Sequence, residues 1–374
     1  MTREQIDPLE LSLTGGEPFN LVEALARRGV SRREFLKFCT IMAGVLALPV
    51  EKASRIARAL ENTPRVPLVW LEFQDCAGCT ESLLRASRPT VGELVLDVLS
   101  VDYHETIMAP AGEQAEASKA ATVEKGGHIV VVEGSIPLKD GGLYCCIGGK
   151  TAKDILFETV EGAIAVIAVG NCAAFGGIPA ASPNPTEAVG VADLVKDVPV
   201  VNLPGCPLNV VNLTATVVHF LTFGSLPAMD HLKRPLFAYG KRIHDNCERR
   251  PHFDAGQFVE EWGDEGHRLG WCLYKMGCKG PETYHNCPTV RWNEGTSWPV
   301  MSGHGCLGCS EPNFWDTMTP FYQRLPEVPG FGVEATIDKV GLGLTAVAAA
   351  GVAAHAIGSA VRKKAAGASQ EKEE

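Results

Sequence analysis

Six cysteines and a candidate histidine ligand crowd residues 244–309: His244, Cys247, Cys272, Cys278, Cys287, Cys306 and Cys309. Trp271, Trp292 and Trp298 lie in the same stretch, and little of it repeats at helix or strand period. With no apolar stripe to order it, such a chain needs another organiser, and metal-bound thiolates are the candidate. Thirteen cysteines in 374 residues also admit two plainer readings, a disulfide framework and scattered buried thiols.

Four more thiols stand earlier, each in a loop just past an apolar run. The first loop carries Cys76 and Cys79 in DCAGCTE, the second Cys172 in GNCAAFGG, the third Cys206 in PGCP. A lone C-x2-C is weak evidence, because zinc sites and redox disulfides share it. Two single cysteines in equivalent loops strengthen it. Four thiolates suit zinc or an iron–sulfur cluster. Zinc ligands usually come in two short pairs, whereas Cys172 and Cys206 are far apart, which favours a [4Fe–4S] cubane over zinc or buried thiols.

Setting aside Cys39, Cys145 and Cys146 leaves ten cysteines. Cys39 sits near the start of the chain, and the adjacent thiols of Cys145 and Cys146 project in different directions. The glycines and Lys150 that follow them lack the spacing of a phosphate loop. Once the first four ligands are placed, six cysteines and His244 remain, which divide as four and three. His244, Cys247, Cys272 and Cys278 make one set; Cys287, Cys306 and Cys309 make the other. A histidine on one iron is allowed and alters the potential; the plainer reading of His244 is a surface histidine. A three-cysteine set is what a [3Fe–4S] cluster needs. Trp262, Trp271, Tyr274, Trp292, Trp298 and Trp315 would screen such sites from water, or serve as plain core.

The elements that must position the first set are apolar, β-branched runs at 67–73 (PLVWLEF), 128–133 (HIVVVE), 163–169 (AIAVIAV) and 198–203 (VPVVNL), with a weaker run at 94–101. Helical stretches such as 81–86 and 187–196 fall between them. Continuous apolar strands alternating with helices imply an α/β fold whose parallel sheet is covered on both faces. Sites then form outside the carboxyl ends of the strands, where these loops lie.

The ends of the chain bear on compartment. Arg32 and Arg33 precede a short apolar run, 38–48, and then Ala57-Arg58-Ala59. That order is expected of a twin-arginine export leader over 1–59, cleaved after Ala59; the alternative is a buried helix after a chance Arg-Arg. The twin-arginine export machinery carries folded proteins, so the cysteines can be metallated before export, which weakens the disulfide reading. Residues 340–361 carry no charge and would form a helix of about 33 Å at about 1.5 Å per residue, enough to cross a bilayer. Arg362, Lys363 and Lys364 follow, which places that end in the cytoplasm and the main domain outside. The alternative is an Ala-rich helix buried in a soluble domain. His355 lies mid-span, facing a haem or simply packed. After Lys364 the composition reads as a disordered polar tail. The formal charge of -10 argues against a nucleic-acid partner.

At these residues the chain resembles the small, iron–sulfur subunit of membrane-bound uptake [NiFe]-hydrogenases. DCAGCTES at 75–82, SIPLKDGG at 135–142, GNCAAFGG at 170–177, PGCP at 204–207, RIHDNCERRPHFD at 242–254, GWCLYKMGCKGPETYHNCP at 270–288 and WPVMSGHGCLGCSEPNFWD at 298–316 carry the resemblance. It implies a flavodoxin-like domain over 60–232 and an irregular iron–sulfur domain over 233–330. A transmembrane helix over 340–361 and a cytoplasmic tail over 362–374 would follow.

The resemblance also implies roles for the three sets. Cys76, Cys79, Cys172 and Cys206 would hold a proximal [4Fe–4S] cluster, and Cys287, Cys306 and Cys309 a medial [3Fe–4S] cluster, with Pro299 where a fourth thiolate would stand. His244, Cys247, Cys272 and Cys278 would hold a distal [4Fe–4S] cluster. The nickel–iron centre would belong to a separate large subunit, and electrons from H2 oxidation would leave near His244 to a membrane cytochrome b or another carrier. No residue of this chain need act as acid or nucleophile.

Some positions depart from the family's pattern. Gly78 and Gly177 occupy places that carry extra cysteines in oxygen-tolerant members, which argues for an ordinary four-cysteine cluster. Asn171 stands for the more usual Ser or Thr, Gly305 for Pro, and Leu208 where a second proline is common. Two alternatives remain. The related iron–sulfur subunit of NADH:quinone oxidoreductases is opposed by the C-x2-C at 76–79 and by the whole of 244–309. An exported, membrane-anchored zinc or disulfide protein without redox function is the other.

Overall fold

The computed structural model describes residues 31–62, 65–86, 99–293, 295–325 and 337–370. Five strands form one parallel sheet: β1 (Val66–Glu72), β2 (Leu99–His104), β3 (Ile129–Glu133), β4 (Ala165–Val169) and β5 (Val200–Leu203). Their order is β2-β1-β3-β4-β5, the flavodoxin-like arrangement. The longer helices are α1 (Arg32–Val45), α2 (Ala53–Asn62), α3 (Gly78–Leu84), α4 (Glu113–Lys125), α5 (Ala152–Val160), α6 (Gly170–Phe175), α7 (Val210–Phe223) and α8 (Ile337–Gln370).

The sheet is buried on both faces, which is why its strands read as unbroken apolar runs. Leu68, Trp70, Val131, Ile167, Val169, Val201 and Leu203 face Leu83 of α3 and Leu213 and Val217 of α7. Val69, Leu71, Val130, Val132, Val166, Ala168 and Val200 face Ala115 of α4 and Ile155, Leu156 and Val160 of α5. The weak run at 94–101 yields β2 from Leu99 onward; residues 94–98 lie outside the described residues. The helix expected at 187–196 shrinks to Val191–Leu194. Glu187 sits at φ 52, outside helical space, and the helix starts only after Gly190, whose N–H donates to the Asp193 carboxylate.

Register decides where the loops emerge. Glu72 pairs with Glu133, Glu133 with Val169, and Val169 with Leu203. Four strands therefore end side by side, and the loops bearing Cys76 and Cys79, Cys172 and Cys206 leave from one edge. Within 240–325 the chain changes character. Among the described residues there, helical segments have at most five residues and strand pairing is limited to isolated bridges. Its apolar cluster joins Ile243, Val259, Leu273, Trp298 and Val300 with Cys287 and Cys306. Arg234 staples this part to the sheet domain: buried, it donates to Asp230, to the Glu311 carboxylate and to the carbonyl of Ser310.

Helices α1 and α2 fold back onto α7, burying Phe35, Cys39, Met42, Ile56 and Leu60 against Ala215 and Val218. Ser31 and Glu34 cap α1 reciprocally, and Arg32 and Arg33 are exposed. The step expected to be cleaved, Ala57-Arg58-Ala59, falls inside α2 with Ala57 buried, so cutting there requires that helix to open. Residues 1–30 of the expected leader lie outside the described residues. At the other end, Gly341–Arg362 is one helical segment long and apolar enough to cross a membrane. The disordered tail expected after Lys364 differs: α8 continues to Gln370, through an Ala-rich stretch with good helix propensity.

Gly134, just past β3, has φ +93, and a Cβ there would lie 2.8 Å from the backbone nitrogen of Gln74. Gly141 has φ +72 and open space around it. Gly141→Ala should cost about 1 kcal/mol from backbone conformation alone. Gly134→Ala should cost several-fold more, measured as a larger drop in thermal midpoint.

Candidate metal centres

The first set is built by the strand ends. Cys79 opens α3 in the interior, while Cys76 and Cys206 are exposed on their loops and Cys172 is half-buried in α6. The buried carboxylate of Glu133, at the end of β3, accepts from the N–H groups of Cys79 (2.8 Å) and Thr80 (3.0 Å) and from the Thr80 hydroxyl (2.6 Å). Glu133 thus fills the one central strand end that carries no cysteine. The N–H of Leu208 donates to Cys79 Sγ at 3.4 Å.

Glycines make room for these sulfurs. A Cβ at Gly170 would lie 2.5 Å from Cys79 Sγ, one at Gly177 2.3 Å from Cys172 Sγ, and one at Gly78 3.1 Å from Cys76 Sγ. Gly170 and Gly177 also have positive φ. A side chain at 177 therefore displaces the Cys172 sulfur or the backbone around it.

Burial raises the pKa of Cys79 well above the ordinary range, with the Glu133 charge adding to it. Burial, with smaller contributions from neighbouring thiols, pushes Cys172 up to about 11 and Cys206 to about 12. Bare thiols so placed stay protonated. Thiolates are favoured there only beside a cation, which an iron core provides.

His244, Cys247, Cys272 and Cys278 line one small cavity, together with Arg249, Arg250 and Tyr274. His244 is 5% exposed, so the plainer reading of a surface histidine does not hold. Burial, then the charge of Arg250, lowers its pKa to about 4. The ring is therefore neutral at ordinary pH, the form that donates to a metal. Phe253 packs edge-on against it at 4.6 Å. Burial raises Cys247 to about 11 and Cys272 to about 12, and raises Cys278 as well. The donor set fits a cluster with one imidazole ligand.

Cys287, Cys306 and Cys309 line a single opening of about 650 Å³ with Trp298 and Pro299. Cys206 of the first set lines the same opening. Three soft donors with a proline beside them fit a three-iron cluster. His285 lies under Cys287, with Nδ1 3.0 Å from its Sγ and accepting from its N–H. The neutral ring, with a pKa lowered by burial to about 3, is one that sequence reasoning missed. The signal was a second His close before a Cys, at 285 and 287, like the pair at 244 and 247.

Two contacts join the three sets in a row. The Asn171 amide donates to the carbonyls of Cys309 (3.1 Å) and Glu311 (2.9 Å). Its N–H donates to the carbonyl of Gly205, so it ties the loops of Cys172, Cys206 and Cys309 together. At the other side, the N–H of Cys306 donates to Cys278 Sγ at 3.2 Å.

Cys39, Cys145 and Cys146 join none of the sets: Cys39 is buried between α1, α2 and α7, and Cys145 and Cys146 lie at a two-residue hairpin, Cys146–Ile147 with Lys150–Thr151. No disulfide joins any of the thirteen cysteines among the described residues. Of the aromatic residues expected to screen the sites, Tyr274 and Trp298 are buried. Trp271, Trp292 and Trp315 are half-buried, and Trp262 stands 48% exposed, stacked on His304. Phe253, absent from that expectation, does the screening at His244.

Two family models match the chain. One, for the C-terminal part of the NiFe/NiFeSe hydrogenase small subunit, matches residues 239–322. The other, for the 20 Kd subunit of NADH ubiquinone oxidoreductase, matches residues 76–220. This second family, the alternative left open by the sequence, spans the sheet half alone. The chain is 48% identical to the uptake hydrogenase small subunit of Azotobacter vinelandii, over 91% of this chain and 96% of that one. It is 46% identical to the quinone-reactive Ni/Fe-hydrogenase small chain of Wolinella succinogenes, over 89% and 97% respectively. Among solved structures, the Ni-Fe-Se hydrogenase of Desulfomicrobium baculatum superposes with a TM-score of 0.66 at 36% identity, covering 70% of this chain and all of that one. The actinobacterial-type NiFe-hydrogenase of Ralstonia eutropha H16 gives 0.67 at 26% identity, covering 82% and 95%. With that identity along nearly its whole length, the chain belongs to the small-subunit family of [NiFe]-hydrogenases, as one part of an oxidoreductase whose catalytic site lies on its partner.

Proposed function

We propose that this protein passes electrons from H2 oxidation at the large subunit's nickel–iron centre to a membrane acceptor, along three iron–sulfur clusters. Cys76, Cys79, Cys172 and Cys206 would hold the proximal [4Fe–4S] cluster. Cys287, Cys306 and Cys309 would hold the medial [3Fe–4S] cluster. His244, Cys247, Cys272 and Cys278 would hold the distal [4Fe–4S] cluster. When bound, such clusters take up and release single electrons.

The observation that carries the reading is the row of donor sets. Asn171 ties the first to the second, and the Cys306 N–H touches a sulfur of the third. The rest of the chain's work is holding. Glycines 170 and 177 leave space for the sulfurs, Pro299 withholds a fourth thiolate, Phe253 and Trp298 keep water off, and His244 supplies a neutral nitrogen.

The same reading assigns the chain's ends. Residues 1–59 act as a twin-arginine leader, 60–232 and 233–330 form the flavodoxin-like and iron–sulfur domains, 340–361 anchors the protein, and 362–374 faces the cytoplasm. The main domain then lies on the periplasmic face. Membrane anchoring is supported by the apolar α8 and by the relative named quinone-reactive. A membrane cytochrome b or another carrier beside α8 is the acceptor that fits.

Three measurements test this. Iron and acid-labile sulfide analysis of the purified protein should give about eleven irons per chain, from two four-iron clusters and one three-iron cluster; zinc without sulfide would sink the reading in favour of a zinc protein. Pro299→Cys should convert the medial cluster towards four irons, and an undiminished [3Fe–4S] EPR signal counts against its assignment. Replacing both Arg32 and Arg33 by lysine should leave uncleaved precursor in the cytoplasm; normal processing would show that another signal exports the chain.

A further inference from the structure

Helices α1 and α2 carry a pattern that export alone does not require. On α1 the buried side chains include Phe35, Cys39 and Met42, and on α2 Ile56 and Leu60. Steps of three and four residues put them on one stripe of each helix. Recognition at a membrane asks only for an apolar run; a stripe is what docking on a protein surface asks for. Lys37, Thr40, Ser54, Arg55 and Arg58 of the same helices are exposed. Between the helices the chain reverses at Ala47, with φ 54, and the N–H of Leu48 donates back to the carbonyl of Ala43 at 2.8 Å.

The surface that the two stripes meet is the side of α7 turned away from the sheet. Leu213 and Val217 pack towards the sheet, whereas Ala215 and Val218, with the partly buried Val211, belong to the cluster with α1 and α2. At the end of α7, the Arg55 guanidinium sits over the Phe223 ring, 4.7 Å from its centroid. The contact covers two reactive points. Cys39 is fully buried in it, and burial, with the Glu61 charge adding to it, pushes that thiol up to about 12. Ala57, at the expected cut, is 5% exposed within α2, so no extended segment is presented there.

We propose that the outer face of α7, centred on Ala215 and Val218, is a docking surface for the chain's own leader, and that the docked leader keeps the precursor uncut until it is drawn off that face. This rests on the reading of 1–59 as a leader. The surface exists only once α7 has packed on the sheet, so the apolar leader is covered in the folded precursor and bare in an unfolded one. Lifting the α1–α2 pair frees Cys39 and the Ala57-Arg58-Ala59 step in one movement, because both lie in the same contact.

The test uses the full precursor assembled with its partner subunit in mild detergent. Two rates are read: alkylation of Cys39 by a maleimide, followed by mass spectrometry of its peptide, and cutting after Ala59 by purified signal peptidase. Ala215→Asp sets a charge into the contact while leaving the sheet-facing side of α7 untouched. Both rates should rise together by about tenfold or more, since each needs the leader lifted. Arg55→Glu, at an exposed position, removes the cation over Phe223 and should raise Cys39 alkylation about threefold. Unchanged rates in Ala215→Asp overturn the inference, and so does a rise in one rate without the other. If that variant fails to assemble, Arg55→Glu decides alone: faster alkylation supports the inference and no change overturns it. A free peptide of residues 31–64 separates this inference from the reading beneath it. If the peptidase leaves the peptide uncut after Ala59, the leader reading fails; if it cuts peptide and intact precursor equally fast, only the docking fails.

Discussion

Taking a thiolate out of water is unfavourable unless positive charge meets it. This chain gathers ten cysteines and a histidine in three adjoining sets, most of them buried or half-buried, where burial, joined at Cys206, Cys272 and Cys306 by neighbouring thiols, hinders ionisation. That constraint divides the molecule. In the first set the protein does the gathering. Four strand ends in register bring the loops together, and Glu133 pins the start of α3, so the site's walls rest on a sheet buried on both faces. In the second and third sets little regular structure exists to gather anything. There the cysteines are part of the apolar cluster, alongside Ile243, Val259 and Trp298. Metal binding and folding are linked when ligands double as core. Under the proposed cluster assignment, the 240–325 part would depend on its clusters for order to a degree that the sheet half does not.

The same division explains what could be read from the sequence. Strands buried on both faces announce themselves as β-branched runs, and the four principal runs fall within a residue or two of β1, β3, β4 and β5. The spacing of cysteines past those runs located the first set, and counting separated the other two. What stayed hidden is what depends on contacts across long sequence distances. Glu133 looked like the polar end of a strand; only register puts it under Cys79. Nothing in the sequence singles out Arg234, yet it joins Asp230 to Glu311 in the interior. Phe253 lay within a motif of the resemblance, but nothing in its type or spacing marked it as the ring against His244. The expected helix at 187–196 shortened because Glu187 takes a left-handed conformation that no local composition announces.

The N-terminal segment shows how two readings of one stretch can both describe it. Its order of paired arginines, apolar core and Ala-Arg-Ala is that of an export leader, and its apolar residues bury against α7 as a core helix would. A leader is apolar enough to be recognised at a membrane, and an apolar helix beside a folded domain packs on whatever surface accepts it. Arg32 and Arg33 are exposed at the start of α1 while the apolar side is shielded. Length and hydropathy alone cannot separate these behaviours, because the same side chains serve both.

Departures from the family's motifs acquire physical meaning once the contacts are known. A hydroxyl carries one donor and an amide nitrogen two. Asn171, standing where Ser or Thr is more usual, uses both to hold the carbonyls of Cys309 and Glu311. The departure thus adds a cross-link between the first and second sets without removing a ligand. Gly305 stands where proline is more usual, and here a Cβ would lie 3.0 Å from the Cα of Cys278. In this chain the backbone at Gly305 lies close against Cys278, so a side chain there requires a neighbour to give by a few tenths of an ångström. Gly177 belongs to the same argument: a Cβ there meets the Cys172 sulfur at 2.3 Å, so an extra cysteine could not be added without moving a ligand already present. That crowding goes with the proposed assignment of four cysteines, and no more, to the first set.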